Sequence, residues 1–328
     1  MLKPLFELHL HLDGSLRLDT MLDIARAEGV ALPAMHKSGL YHALRCGQVR
    51  DSLPQYLEHF AHTTAVMQSQ PALKRIAMEL MEDLAADGVK YAEVRFMPSL
   101  HTARGISEDF VMGAVLDGLG EGGRRYGVRW GLIVCSMRHV DPEVTRRMID
   151  LAIRYKSCGV VAVDLAGDDN LPAFEHAPHF LRARENGLHV TMHAAEEGPP
   201  ERVMEAVERF GAERIGHGVK AIRDPRVMDF VKRHAIGIEA CLTSNIQMRT
   251  AASYESHPAL RYLCEGVLVS LNTDNRMLAG TTMQREFEIV RERWCLVEED
   301  ERQLLWNAIH TSFAPPDVKT ELYNALVA

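Results

Sequence analysis

Eight short runs rich in Val and Ile, separated by helical stretches, predict an α/β protein of the (β/α)8 TIM-barrel class. Each intervening helix is long enough for a right-handed crossover, the connection that parallel strands require. The runs are apolar on both faces, as strands buried on both sides must be. A doubly wound open sheet fits less well, because no G-x-G-x-x-G follows the first strand and eight units fill the 328 residues.

In chain order, the first strand begins F-E-L-H-L-H-L from Phe6. A helix over 18–28 stops at Gly29. Residues 30–70 form a helical insertion after strand one: a loop with Pro33 and Gly39, a short helix, then L-P-Q-Y-L-E-H-F from Leu53. This segment is expected to serve as a lid or as a packed surface insertion. From there the chain becomes rhythmic: helix 72–86, strand 90–97, helix 107–126, strand 129–135, helix 142–157, strand 160–165, helix 172–185, strand 188–193 and helix 200–210. Strand 213–217, helix 225–234, strand 235–241, helix 258–264 and strand 267–271 complete the eight. Extra helices over 282–294, 299–311 and 317–326 close the chain. No Gly/Ser linker, low-complexity segment or repeat divides it, so residues 1–328 are expected to form one domain.

The composition, 47% hydrophobic and 25% charged, is that of an ordinary soluble globular protein. A net charge of −8 and no Lys/Arg run leave no basic footprint for nucleic acid or an anionic membrane. No window approaches eighteen uninterrupted apolar residues, and the first strand begins at once without a leader of signal type. A cytoplasmic protein with a small-molecule partner is expected. The six cysteines contain no C-x-x-C pair and read as reduced, mostly buried thiols.

The period of two along the first strand sends His9 and His11 to one face with Glu7 and Asp13, while Leu8, Leu10 and Leu12 take the other. Such a face suits a metal site or two hydrogen-bonded core histidines. Active sites of these barrels form at the C-terminal strand ends, so the other ends discriminate. Strand five ends T-M-H-A-A-E-E-G from Thr191, strand six R-I-G-H-G from Arg214 and strand eight S-L-N-T-D-N from Ser270. Only four of the sixteen histidines fall at these ends. Three imidazoles and one carboxylate, His9, His11, His193 and Asp274, suit one zinc or another first-row divalent ion rather than calcium or magnesium. Such an ion lowers the pKa of water toward neutrality. Glu93 and Arg95 share a strand face and are expected to pair inside the barrel. His101 lies near the rim and is given no role.

Together with V-D-L-A-G-D from Val163, these motifs resemble the adenosine deaminase family over essentially the whole chain. The resemblance implies that His9, His11, His193 and Asp274 hold zinc, that Glu196 gives a proton to purine N1, and that His217 orients and stabilises the hydroxide nucleophile. It also implies that the Gly167 backbone meets purine N3, that Asp13 meets the ribose 5′-hydroxyl, and that Leu53, Tyr56, Leu57 and Phe60 form an apolar wall over the nucleoside. The implied reaction is hydrolytic deamination of adenosine and 2′-deoxyadenosine to inosine or deoxyinosine plus ammonia, in purine salvage. Attack at C6 pushes charge toward N1, so an acid of raised pKa is required beside it. Strand parity does not choose between Glu196 and Glu197; the resemblance chooses Glu196.

Two departures matter. Where the family pattern reads H-A-G-E this chain has Ala195, whose methyl group narrows backbone freedom and is expected to be tolerated. Where many members have a second Asp contacting purine N7, this chain has Asn275, whose amide donates without first being protonated. Purine binding is expected to persist with an altered acidic-side pH dependence. The nearest alternative is an adenine deaminase or a deaminase of another adenosine-like nucleoside. Asp13 and Gly216 favour a nucleoside, whereas the Glu-Gly-Pro-Pro run after Glu196 resembles the free-base branch. A binuclear amidohydrolase would need a lysine at the end of strand four, where Val163 to Gly167 offers none. A zinc-binding pseudoenzyme would need neither Glu196 nor His217.

Overall fold

Eight parallel strands pair in chain order: β1 (Leu5–His11), β2 (Val89–Phe96), β3 (Arg129–Met137), β4 (Val160–Ala166), β5 (His189–Ala194), β6 (Arg214–His217), β7 (Gly237–Ala240) and β8 (Val269–Leu271). The computed structural model describes residues 3–49 and 53–327, and the side chains of residues 53–58 lie outside that description. Beyond β8 the chain continues beside β1 and completes the barrel. His11 N–H donates to the Asp274 carbonyl at 2.8 Å, and Asp274 N–H donates to the His9 carbonyl at 2.9 Å. This closure brings residues more than 260 positions apart in sequence into one ladder, with Leu8 N–H donating to Asn272 Oδ1 at 2.8 Å.

Helices cover the outside of the barrel. The pair Gln70–Ala86 and Glu108–Tyr126 packs closely through glycine: a Cβ at Gly118 would stand 2.4 Å from the Lys74 carbonyl oxygen, and one at Gly122 would stand 2.7 Å from Met81 Cβ. Ser107 caps the second helix, accepting from Phe110 N–H at 3.3 Å, and Gly127 ends it in the left-handed conformation. Among the described residues no helix is long and apolar enough to cross a membrane.

The barrel interior is polar and ion-paired. Arg95 donates to Asp164 Oδ2 at 3.0 Å and to Glu239 Oε2 at 2.9 Å, while Arg214 reaches Glu93 Oε2 at 2.5 Å and Glu239 Oε1 at 2.6 Å. Glu93 and Arg95 therefore do pair inside the barrel, but with partners on other strands: residues two apart on one strand point the same way, and cross-barrel neighbours reach them first. All five groups are fully buried, a burial that charges tolerate only when paired.

Several bounds differ from expectation. The strand foreseen from 235 starts at Gly237, because Ala235 is left-handed (φ 51°), and it ends at Ala240, where Cys241 opens an unforeseen helix, Leu242–Gln247. The helix foreseen from 172 starts at Ala177, after a 3-10 turn over Phe174–His176. Cysteine burial was over-read. Cys46, Cys135 and Cys241 are buried, but Cys158, Cys264 and Cys295 sit at element ends on the surface.

Candidate active site

At the C-terminal mouth of the barrel, β1 delivers His9 and His11, β5 delivers His193, and the turn after β8 delivers Asp274. His11 Nε2 lies 3.3 Å from His193 Nε2, and Asp274 Oδ1 lies 3.4 Å from His11 Nε2 and 3.5 Å from His9 Nε2. His9 Nδ1 meets Glu239 Oε2 at 2.7 Å, and His193 Nδ1 meets Asp164 Oδ1 at 3.1 Å. A carboxylate can only accept, so those Nδ1 atoms carry the protons and the Nε2 lone pairs face the cluster. His9 Nε2 is buried without a hydrogen-bond partner. Lone pairs and a carboxylate oxygen converging without enough protons among them suit a cation, and three imidazole nitrogens with one carboxylate oxygen would suit a first-row divalent ion. Ser244 Oγ donates to Asp274 Oδ2 at 2.6 Å, leaving Oδ1 to the histidines. Burial opposes ionisation of Asp274, yet His9, His11 and His217 hold it well below the ordinary carboxylate range.

Beside this cluster stand Glu196 and His217, with Glu196 Oε2 at 3.5 Å from His217 Nε2. Glu196 is set by its loop. Asp169 accepts from the backbone N–H groups of Glu196 (2.9 Å), Glu197 (3.1 Å) and Gly198 (2.6 Å), folding the chain after β5 over the mouth. Geometry separates the two glutamates that strand parity left equivalent, and on the side the resemblance implies: Glu196 lines the central cavity and Glu197 does not. Burial raises the Glu196 carboxyl well above its ordinary range, with Asp274, Asp169 and Glu197 adding repulsion, while burial drives His217 well below the histidine range. Ala195, His217 and Asp274 all have positive φ (54°, 65° and 61°), a conformation costing an L-residue roughly 1–2 kcal/mol. Strain therefore gathers where the strands break to present these groups, and Ala195 occupies the left-handed conformation that glycine would adopt freely.

The cavity above the cluster holds about 310 Å³. Asp13, Gly167, Asn275 and Phe60 line it; Leu53, Tyr56 and Leu57 carry side chains outside the described residues. Phe60 belongs to the helix Leu53–Ala65, so the insertion does contribute a wall. Gly167 is left-handed (φ 89°) and exposes its backbone beside Met137 and His139. Asp13 leaves β1 on a single 3-10 turn, Leu12–Gly14, and burial lifts its carboxyl to about 7, with Asp274 adding to the lift. His101 is buried, close to the Met67 carbonyl, and does not line the cavity.

The sequence reading passed over the groups that hold these residues: Glu239, Asp164, Asp169, Ser244 and Asn245. A signal existed in the polar T-S-N of Thr243 to Asn245, directly after a barrel strand, where polar residues belong to the site.

A model of the adenosine deaminase family matches residues 4–328. The chain is 39% identical over 317 residues to an adenosine deaminase of Clostridium botulinum (strain Kyoto), covering 96% of this chain and 95% of that one. The crystal structure of an adenine deaminase from Arthrobacter aurescens superposes with a TM-score of 0.92 at 25% identity, covering 99% of this chain and 98% of that one. That of an Arabidopsis N6-mAMP deaminase gives 0.89 at 26%, with coverage of 99% and 98%.

Proposed function

The chain belongs to the adenosine deaminase family, and from that membership and the geometry of its site we propose that it hydrolyses adenosine and 2′-deoxyadenosine to inosine or deoxyinosine and ammonia. We assign this to one catalytic domain, residues 1–328, acting in cytoplasmic purine salvage. The observation that carries the reading is the convergence of His11, His193 and Asp274 with Glu196 and His217 on one cavity, with His9 buried in the same cluster.

His9, His11, His193 and Asp274 would hold zinc, which when bound supplies a water acidified toward neutral pH and so an oxygen nucleophile. The remaining work falls to the chain. Glu196, kept protonated by burial, donates to purine N1 as C6 becomes tetrahedral, and His217 orients the attacking oxygen. Water adds its oxygen to C6, the C6–N bond breaks, and ammonia leaves. The Gly167 backbone meets purine N3, and Phe60 bounds the apolar side, to which the family resemblance also assigns Leu53, Tyr56 and Leu57. Asn275 Oδ1 is packed against Gly14, where a Cβ would lie 1.8 Å away, which leaves the amide nitrogen for purine N7. Asn275→Ala is expected to lower kcat/KM about fivefold to tenfold, the worth of one hydrogen bond near 1 kcal/mol; an unchanged value would remove the N7 contact.

The relatives differ in substrate, and the cavity favours an uncharged nucleoside. Among the described residues its lining contains no Lys or Arg, while Asp13, Glu196 and Asp274 are all acidic. Among them a 5′-phosphate would find no Lys or Arg to pair with beside Asp13, the residue proposed to meet the ribose 5′-hydroxyl. Gly216 is closely packed, since a Cβ would stand 2.8 Å from His9 Cε1, and in the family pattern it is the free-base members that tend to carry an Asp at this place. Adenine remains the second reading because of the Arthrobacter relative and the Glu-Gly-Pro-Pro run. The test is ammonia release by zinc-loaded protein from adenosine, 2′-deoxyadenosine, adenine and AMP in parallel. Adenosine is expected to exceed AMP by at least ~100-fold in kcat/KM, about 3 kcal/mol of uncompensated phosphate. Turnover of adenine alone would assign the free base, and turnover of AMP at the adenosine rate would overturn the cavity argument.

A further inference from the structure

We infer that His257 and Asn245 form a directional hydrogen-bond relay that fixes which atoms of Glu196 and His217 carry protons, making Asn245 the positioning residue for both. The inference rests on the roles proposed above for Glu196 and His217. Its direction begins at a group that can only donate. The backbone N–H of Ala259 donates to His257 Nδ1 at 3.2 Å, where His257 caps the helix Pro258–Cys264. An imidazole accepting at Nδ1 carries its proton on Nε2. Burial, which lowers His257 to about 3, keeps the ring neutral.

His257 Nε2 lies 3.2 Å from Asn245 Oδ1, so the amide oxygen accepts there and the NH2 group faces the opposite way. That NH2 donates to Glu196 Oε1 at 3.1 Å and lies 3.2 Å from His217 Nδ1. An amide NH2 has two hydrogens and accepts nothing. His217 Nδ1 must therefore accept, which puts the His217 proton on Nε2, and the proton of a neutral Glu196 sits on Oε2. These two atoms, 3.5 Å apart, are then both donors. Each needs an acceptor: purine N1 for the carboxyl and the nucleophile oxygen for the imidazole. An Asn245 rotated by half a turn would present oxygen to both groups and draw both protons away from the cavity.

The first test is the ¹⁵N spectrum of histidine-labelled zinc holoenzyme, with the His217 signals identified by their loss in His217→Gln. Protonation on Nε2 is expected, and a proton on Nδ1 in the wild-type protein overturns the relay without any further variant. Asn245→Asp keeps the shape and removes both donors. Its His217 proton is expected to move to Nδ1, with kcat on adenosine down at least ~50-fold and KM within about threefold. In His257→Phe both tautomers are expected, and His257→Gln, which returns an N–H donor, is expected to restore the Nε2 form. An unmoved tautomer or a kcat within about threefold in Asn245→Asp would sink the proposal. The spectrum reads the relay without turnover, so failure of wild-type protein to deaminate adenosine would count against the proposed reaction alone.

Discussion

Glu196→Gln is expected to release ammonia from adenosine at roughly one thousandth of the wild-type rate or less, since a general acid in place contributes about 10²–10⁴-fold. Glutamine keeps the shape and can still meet Asn245, but it has no proton to give to N1. KM is expected to change little, because the loss falls on the transition state. The pH dependence follows from the raised carboxyl. The acid form is the active one, so kcat/KM of the wild type falls on the alkaline side as Glu196 ionises. Stability has the same sign. The contribution of a carboxyl raised on folding is complete below its unfolded value of about 4.3 and is lost as pH climbs through the folded value. The variant cannot ionise, so its melting temperature at neutral pH is expected to equal or exceed that of the wild type. A variant retaining a tenth or more of wild-type kcat would remove Glu196 from the role of acid.

Exhaustive chelation is expected to reduce activity at least ~100-fold, with recovery on one equivalent of zinc per chain. It is also expected to lower the melting temperature, since an ion bound only to the folded state stabilises by RT ln(1 + [L]/Kd). The cluster predicts where affinity is most sensitive outside the ligands themselves. Glu239 and Asp164 fix the protons of His9 and His193, and Arg95 joins the two carboxylates. Glu239→Gln and Asp164→Asn are each expected to weaken zinc binding by about 10–100-fold, read by competition with a chromogenic chelator. Full activity in protein shown by elemental analysis to hold no metal would overturn the assignment of the cluster.

Much of this was legible along the chain, because the relevant physics is local. Strand period places His9 and His11 on one face, Gly29 and Gly127 stop helices by their left-handed backbone, and repeated β/α alternation leaves few ways to pair eight buried strands. The residues that support the site were not legible in the same way. Asp169 binds a loop almost thirty residues away, Asn245 lies on a six-residue helix too short to show periodicity, and Glu239 reads simply as a charge within a strand.

The amino-acid sequence by itself determined the barrel, the strand ends, and the types of residue gathered there, since each follows from spacing within one element. Strand period could not choose between Glu196 and Glu197, which the tertiary structure separates; only that structure decided that Ala195 bears a left-handed backbone and which partner holds each buried charge. Those outcomes depend on barrel closure and on hydrogen bonds between distant segments, and the direction of such bonds is set in three dimensions, where a carboxylate can only accept and a backbone N–H can only donate.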